Sequence, residues 1–270
     1  MMNAFCLETH DHVSFLSCRP MRANWPVLQA FSTRLGGVSE APYATLNLGF
    51  GSGDDRTRVV QNRQRFGRAV GFDPECLVTL RQVHGQRVVF LSTGDDPTSV
   101  RGTQADALIS DCPEIPLAVI TADCFPVVLV VPTVPAIGIV HSGRRGTAER
   151  IVPTTVSQIC ERFGLRPDAV FAAIGPGIGS CCYEVDAASA VPFLAQFSAA
   201  DSVVRPSRPY HVYLDLQRAI LLQLRAIGVP SQHIWSADLC TACHAQWFYS
   251  YRRDGMRSGR MLNVVMIRSR

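Results

Sequence analysis

Residues 116–146 read PLAVITADCFPVVLVVPTVPAIGIVHSGRRG, and this stretch decides the fold. Three apolar runs within it, 116–121, 126–131 and 136–141, have the length of strands and contain many β-branched residues. The segment VVPTVPAIG, which joins the last two runs, is too short to hold a crossover helix. It therefore predicts a tight connection between two strands.

Strands outnumber helices along the rest of the chain. Further strand-like runs are RVVFL at 87–91, AVFAAIG at 169–175 and NVVMI at 263–267. The helical candidates are 56–70, 146–163, 186–199 and 214–227. This pattern predicts an α+β fold of mixed β-sheets covered by helices, rather than a doubly wound parallel sheet. Because no repeat or low-complexity linker is found, residues 1–270 are predicted to form a single domain.

Composition excludes several classes of protein. Apolar residues make up 47% of the chain and charged residues 18%, a globular balance that argues against disorder. The net charge of +4 suits an anionic small molecule but is too small to indicate a nucleic-acid binder. The N-terminus lacks a secretory pattern, and no apolar run approaches the ~20 residues of a membrane span. We therefore expect a cytoplasmic protein, whose ten cysteines are mostly reduced.

Three residues at the edges of these runs suggest a metal site. Cys124 precedes FPVVLV, His141 ends AIGIV, and His84 lies in RQVHG. Imidazole and thiolate are good zinc ligands, and a catalytic zinc has three protein ligands and one open position. The spacings match no zinc-finger pattern, so the residues by themselves leave a second interpretation open. In that interpretation each is an unrelated core side chain.

The order of several motifs resembles that of the YfiH/laccase-domain family, also called multicopper polyphenol oxidase-like proteins. The motifs are STRLGGVSEAPYATLNLGFGSGDD, NRQRF, RQVHG, ADALIS, TADCFPVVL, HSGRRGT, GPGIG followed by YEV, and CTACHAQWFYSYRRDGMRSGR. They span about residues 30–268. The resemblance implies a four-layer α/β/β/α sandwich. It also implies a zinc-dependent purine nucleoside phosphorylase with adenosine deaminase activity, acting on a small nucleoside and phosphate.

The resemblance assigns roles to particular residues. It implies that His84, Cys124 and His141 bind the metal, which is zinc with copper as the alternative, and that His84 and Cys124 thereby belong to the catalytic centre. Apart from the resemblance, Asp123 stands beside the thiol of Cys124, where it is predicted to orient a ligand or accept a proton, or alternatively to close a turn. Neither nucleic acid nor membrane is an expected partner, and protein partners are not predicted.

Arginines are the candidate phosphate ligands. Arg34 precedes two glycines, and a guanidinium beside free backbone N–H groups suits phosphate; Arg145 is the second candidate. The chain departs from the family at Arg144, where the family usually has tryptophan. A cation in place of an indole removes a stacking surface, so substrate choice is less certain than metal binding. Four arginines in the last motif are further candidates for the anion site, at positions 252, 253, 257 and 260.

Three other functions remain open. One is a copper-dependent polyphenol oxidase, although seven histidines in all are too few for a trinuclear copper cluster plus a mononuclear site. Another is a metal-free hydrolase with Cys124 as nucleophile. The third is a structural zinc protein, against which the lack of an obvious fourth ligand argues.

Other motifs have weaker interpretations. CTACH at 240–244 matches a haem-attachment pattern, but that chemistry needs an exported chain; the cysteine pair could instead bind a second metal or act as a redox couple. GPGIG lacks the residues of a P-loop and is predicted to be a tight turn. Cys181 and Cys182 are predicted to pack without a role. Asp106 could, like Asp123, orient a ligand or accept a proton, but a structural role is favoured.

Overall fold

A computed structural model describes residues 4–269 of the chain. Its strands, in chain order, are β1 (Phe5–His10), β2 (Val13–Cys18), β3 (Val27–Ser32), β4 (Val78–Thr79), β5 (Val88–Leu91), β6 (Ala107–Ser110), β7 (Leu117–Thr121), β8 (Phe125–Val131), β9 (Ala136–Ser142), β10 (Phe171–Ile174), β11 (Glu184–Asp186), β12 (Val204–Pro206), β13 (His211–Leu214), β14 (Ile234–Ser236) and β15 (Met261–Ile267). Its α-helices are α1 (Arg19–Asn24), α2 (Arg56–Val70), α3 (Arg144–Ala148), α4 (Ile151–Phe163), α5 (Ala187–Leu194), α6 (Leu216–Ala226) and α7 (Tyr251–Asp254).

The strands form two mixed six-stranded sheets and one small antiparallel sheet. The first sheet has the order β1-β2-β3-β15-β7-β4, the second β14-β10-β8-β9-β6-β5, and the small sheet β11-β13-β12. β8 and β9 pair antiparallel from Phe125 opposite Ser142 to Val131 opposite Ala136, which confirms the predicted tight connection. All six predicted strands are present as β5, β7, β8, β9, β10 and β15.

The two large sheets pack face to face over an apolar core. The first sheet contributes Phe31, Val119 and Val265, and the second contributes Leu108, Val128 and Ile139. Burial of each such side chain is worth roughly 1.5–3 kcal/mol. The alternate residues of the same strands face outward and are covered by helices.

Helices cover both outer faces. Phe66 of α2 packs on the first sheet beside Val264, while Ile159 of α4 and Ile220 of α6 pack on the second beside Val127. The order of layers is therefore helix, sheet, sheet, helix, as the family resemblance implied. No helix within residues 4–269 is both long and apolar enough to cross a membrane.

The helix boundaries partly differ from those predicted. The helix predicted at 56–70 is α2 with the same bounds, and that at 214–227 is α6 with Asp215 as its N-cap, accepting from the Arg218 N–H. The helix predicted at 186–199 ends at Leu194. The prediction for 146–163 was wrong in joining α3 and α4, because the chain turns at Arg150, whose φ is +63°.

Candidate metal centre

His84, Cys124 and His141 come together at one end of the sandwich. His84 lies between β4 and β5, Cys124 ends the link that passes from β7 in the first sheet to β8 in the second, and His141 lies near the end of β9. One ligand atom from each lies within 4.8 Å of the others, and the two imidazole centroids are also 4.8 Å apart. The structure therefore brings the three predicted metal ligands together.

Strand pairing sets the positions of these ligands. The β8–β9 register places Pro126 opposite His141, so Cys124, which directly precedes β8, lies beside the histidine. On the other side of β9, the backbone N–H of His141 donates to the carbonyl of Asp106 over 2.7 Å. Asp106 is thereby fixed next to His141, although the two are far apart in sequence.

Asp106 connects the two histidines. Its fully buried carboxylate accepts backbone N–H groups from Val83, His84 and Gly85 at 3.1, 2.9 and 2.8 Å. It also accepts the Nδ1 proton of His141 over 2.8 Å, which leaves Nε2 free to bind a metal. Carboxylates behind metal-binding histidines orient the ring in this way. Asp106 also holds His84 in the left-handed region, at a φ of +60°.

The same contacts determine the pKa values of Asp106 and Cys124. Burial opposes ionisation of Asp106, but hydrogen bonds from His141 and Gly85 outweigh it and hold the pKa of this carboxyl below its usual range. Burial likewise opposes ionisation of Cys124, yet the adjacent His141 and His84 lower the pKa of this thiol to about 6. The geometry thus favours a thiolate, the form that binds metal.

Gly143 leaves the space that the sulfur occupies. A Cβ atom built on this residue would lie 2.8 Å from Cys124 Sγ and 3.1 Å from His84 Cδ2. The first distance is shorter than any ordinary contact, so a side chain here would displace a ligand. Gly143, the first glycine of HSGRRGT, is therefore required by the site itself.

The donor set fits a zinc ion. Two imidazoles and one thiolate are ligands that zinc binds, and three protein ligands with one open position are typical of catalytic zinc. All three residues line a cavity of about 930 Å³, so the open side of the set faces a space large enough for a nucleoside. Copper accepts the same donor types, and the donors alone do not separate the two metals.

The cavity is lined mainly by cationic and aromatic side chains. Its arginines are Arg144, Arg145, Arg252 and Arg260, its tyrosines are Tyr183 and Tyr251, and its acid is Asp123. The Arg252 guanidinium lies 4.9 Å from the centre of the Tyr183 ring and that of Arg260 lies 5.7 Å from Tyr251. Burial lowers the pKa of Arg260, although the guanidinium stays charged near neutral pH. An anion is therefore the favoured occupant.

Asp123 lies in the cavity wall with a donor on each oxygen. Oδ1 accepts from the Thr241 hydroxyl and Oδ2 from the backbone N–H of Arg252, both over 2.6 Å. The residue has a φ of +96°, a conformation that costs a non-glycine residue roughly 1–3 kcal/mol. These contacts join the segments at 123, 241 and 252, and its role as proton acceptor stays a prediction.

The predicted phosphate ligands are in different places. Arg145 lines the cavity, where its Nε donates to Glu149 over 2.7 Å. The Arg34 guanidinium donates to the carbonyls of Ala44 and Ala245 and lies 4.6 Å from the Tyr249 ring centre. It is not among the cavity-lining residues, and its role as a phosphate ligand stays a prediction.

Sequence reasoning placed a ligand-orienting role of Asp106 second to a structural one, and it could not choose among the arginines near the C-terminus. The structure places Arg252 and Arg260 at the cavity. Arg253 instead donates to the carbonyls of Thr241, Ala242 and Phe248. The motif ADALIS contained a signal for Asp106, since an acid at the start of an otherwise apolar strand needs a buried partner.

The chain is similar to known proteins in both sequence and fold. Residues 28–268 match the family model described as multi-copper polyphenol oxidoreductase laccase. The chain is 40% identical over 243 residues to Purine nucleoside phosphorylase YlmD of Geobacillus stearothermophilus, covering 87% of this chain and 88% of that protein. It is 35% identical over 245 residues to Adenosine deaminase RL5 of an unknown prokaryotic organism, covering 88% and 93%. The crystal structure of YlmD from G. stearothermophilus matches with a TM-score of 0.90 at 34% identity, covering 99% of this chain and 100% of that one.

Proposed function

The chain belongs to the multi-copper polyphenol oxidoreductase laccase family, and we propose that it is a zinc-dependent purine nucleoside phosphorylase with adenosine deaminase activity. Some relatives are named purine nucleoside phosphorylase, and another is named adenosine deaminase. The observation that carries the proposal is the placement of His84, Cys124 and His141 on the wall of a cationic, aromatic cavity. Substrates are adenosine and inosine, with methylthioadenosine as a third candidate.

His84, Cys124 and His141 would hold the metal through imidazole nitrogens and a thiolate. Zinc supplies Lewis-acid polarisation and makes water a nucleophile near neutral pH. A neutral imidazole that binds a metal through one nitrogen carries its proton on the other nitrogen, so it has no lone pair left to accept a proton. His84 and His141 would therefore act as ligands and not as bases, Cys124 would be the thiolate ligand, and the proton acceptor is assigned to Asp123 or to water.

Phosphate binds among the cavity arginines in this proposal. Phosphorolysis transfers the ribose from the purine to phosphate, so the site must bind an anion beside the sugar. Planar guanidinium groups offer paired N–H donors that match phosphate oxygens. Arg144, Arg145, Arg252 and Arg260 line the same cavity as the metal ligands, and this supports the assignment.

The purine has aromatic partners in Tyr183 and Tyr251. Both rings line the cavity, and each already has a guanidinium within 6 Å of its centre. A purine that stacks on either ring would bury apolar surface while its polar edge stays available to donors. Arg144, where the family usually has tryptophan, adds a charge to the same wall.

A copper oxidase has less support from the site. Two of the seven histidines lie in the cluster around Cys124, and the other metal-competent group within residues 4–269 consists of cysteines alone. A trinuclear copper cluster needs many more imidazoles than this. Metal analysis of the purified protein distinguishes the two cases directly.

Product analysis tests the proposal. The protein, with its zinc and copper content measured, is incubated with adenosine or inosine, with and without phosphate. We expect free base and ribose 1-phosphate when phosphate is present, and inosine from adenosine when it is absent. Zinc-loaded protein that turns over neither nucleoside would refute the proposal.

A matched pair of variants ties the activity to the site. Cys124→Ala should lose both activities and the zinc held with the histidines. Cys76→Ala removes an exposed thiol that is not among the cavity-lining residues, and this variant should keep both activities. Full turnover in Cys124→Ala would show that the ligand assignment is wrong.

A further inference from the structure

A second group of four cysteines lies outside the cluster around Cys124. Cys181 and Cys182 follow the GPGIG turn, and Cys240 and Cys243 belong to CTACH. Their four Sγ atoms all lie within 4.8 Å of one another. Cys243 Sγ lies 3.5 Å from Cys181 Sγ and 3.4 Å from Cys182 Sγ. Sequence reasoning treated the two pairs separately and did not predict that they meet.

These distances are those of ligands around one ion. A disulfide holds its sulfurs about 2.05 Å apart, well below the two distances given above. A tetrahedral zinc with bonds of about 2.3 Å places its sulfurs ~3.8 Å apart. Four thiolates in tetrahedral array are typical of zinc or of iron–sulfur centres. The small separation favours a single ion.

Backbone contacts hold the two loops in this arrangement. Thr241 N–H donates to the Gly177 carbonyl over 2.9 Å, and Gly179 N–H donates to Cys240 Sγ over 3.2 Å. Tyr183 N–H donates to the Gly179 carbonyl over 3.0 Å, which closes the turn that carries Cys181 and Cys182. A Cβ on Gly179 would lie 3.1 Å from Cys240 Cβ and 3.2 Å from Cys181 Sγ, so the close approach depends on glycine.

We propose that Cys181, Cys182, Cys240 and Cys243 bind one zinc ion as a closed tetrathiolate site, distinct from the centre at Cys124. With four protein ligands such a site has no open position, and its role is structural. Binding converts the thiols to thiolates and releases their protons to solvent. Cys181 and Cys243 are exposed, which gives the ion access, while Cys240 is buried.

The proposed ion would fix one wall of the cavity. Tyr183 lines the cavity and directly follows Cys182. Thr241, which directly follows Cys240, donates its hydroxyl to Asp123 over 2.6 Å. Tyr183 and Thr241 are thus each adjacent in sequence to a proposed ligand, so an ion that ties the loops together would position Tyr183 directly and Asp123 through Thr241. The proposal does not depend on which reaction the cavity performs.

Zinc stoichiometry in a background without the first site tests the proposal. The full chain carrying His84→Ala and Cys124→Ala is purified under reducing conditions with zinc, and its metal is measured by mass spectrometry. We expect one zinc per chain. Adding Cys243→Ser should remove it, whereas the matched Cys76→Ser should keep it. A background protein without zinc, or one that keeps its zinc after Cys243→Ser, would overturn the proposal.

A spectroscopic test covers the case in which Cys243→Ser does not fold. X-ray absorption of zinc in the same folded background should give four sulfur neighbours at about 2.3 Å. A shell containing nitrogen or oxygen neighbours would contradict the tetrathiolate. So would thiol titration that finds two fewer thiols than the sequence provides, because that result indicates a disulfide.

Discussion

The Asp106 carboxylate positions two predicted metal ligands, His84 and His141. It accepts the backbone N–H of His84 and the imidazole N–H of His141 on the same oxygen, Oδ1. Oδ2 accepts the N–H groups of Val83 and Gly85. An amide cannot reproduce this pattern, because its nitrogen would face N–H donors. Asp106 is therefore a positioning residue for both histidines of the candidate metal centre.

Asp106→Asn should weaken zinc binding at the centre about 10- to 100-fold, the usual cost of losing a partner behind a metal-binding histidine. Competition with a chromophoric chelator measures the affinity. Asp111→Asn is the matched control, since Asp111 also accepts a backbone N–H, from Thr93 over 2.7 Å, but does not line the cavity. Equal affinity in the two variants would contradict the role of Asp106.

Gly143 is a second residue at which the structure makes a sharp prediction. Gly143→Ala places a methyl group 2.8 Å from Cys124 Sγ, so the sulfur or the strand end must move. We expect zinc to be lost from the centre while the fold persists. Gly138→Ala, within the strand β9 that precedes Gly143, meets atoms no closer than 3.5 Å and should keep its zinc, as metal analysis of both variants would show.

Arg144 lines the cavity at the position where the resemblance implies a tryptophan, and kinetics can test which substrate it contacts. If its guanidinium contacts phosphate, Arg144→Ala should raise KM for phosphate about ten- to hundredfold, the worth of one charge-assisted hydrogen bond. Deamination, which uses no phosphate, should change much less. Steady-state kinetics of both reactions make the comparison, with Arg166→Ala, which is not among the cavity-lining residues, as control. An equal loss in both reactions would place Arg144 on the nucleoside instead.

Among the elements, the separation of α3 from α4 has a local cause. Pro153 lies in the first turn of α4, where no N–H is needed. A helix continuing from 146 would need that missing N–H and would clash with the pyrrolidine ring. The break puts α3 next to the metal ligands and leaves Arg144 and Arg145 on the cavity side.

Helix α6 supports the second sheet, and its start depends on Asp215. The carboxylate accepts the backbone N–H of Arg218 over 2.8 Å. Asp215→Ala should lower the free energy of unfolding by about 1 kcal/mol, the usual cost of an N-cap. Urea denaturation measures it. Asp168→Ala is the control. The exposed Asp168 carboxylate lies 3.7 Å from Arg166 Nε, and its removal should change the free energy of unfolding by less than about 0.5 kcal/mol.

For the whole molecule, the metal centre lies at an end of the sandwich and the core lies between the sheets. Chelation should abolish both proposed activities because it removes the metal from the centre. It should not unfold the chain, because the core consists of buried apolar side chains. The melting temperature should fall, since a ligand that binds only the folded state stabilises it. Circular dichroism and activity before and after zinc is restored provide the test. Cooperative unfolding on chelation of the Cys243→Ser variant, which lacks the second proposed zinc site, would indicate that the metal at the Cys124 centre is structural.

The pattern of the sequence was enough for part of the fold. The uninterrupted apolar runs at 116–121, 126–131 and 136–141 predicted β7, β8 and β9 because both faces of these strands are buried. The strands β2 and β3 were missed because Ser14, Ser17 and Gln29 interrupt their apolar pattern. These polar side chains are buried in the structure. A buried polar residue needs a partner, and the sequence does not identify partners.

The candidate site, like the fold, was predicted only in part from the sequence. Motif order sufficed to predict the types of ligand, since His84, Cys124 and His141 could be read from their blocks without coordinates. The meeting of Cys181 and Cys182 with Cys240 and Cys243, and the four contacts of Asp106, required the tertiary structure. The physical reason is range: strand periodicity and turn chemistry act over a few residues, whereas a metal site is fixed by strand register and by hydrogen bonds between distant segments.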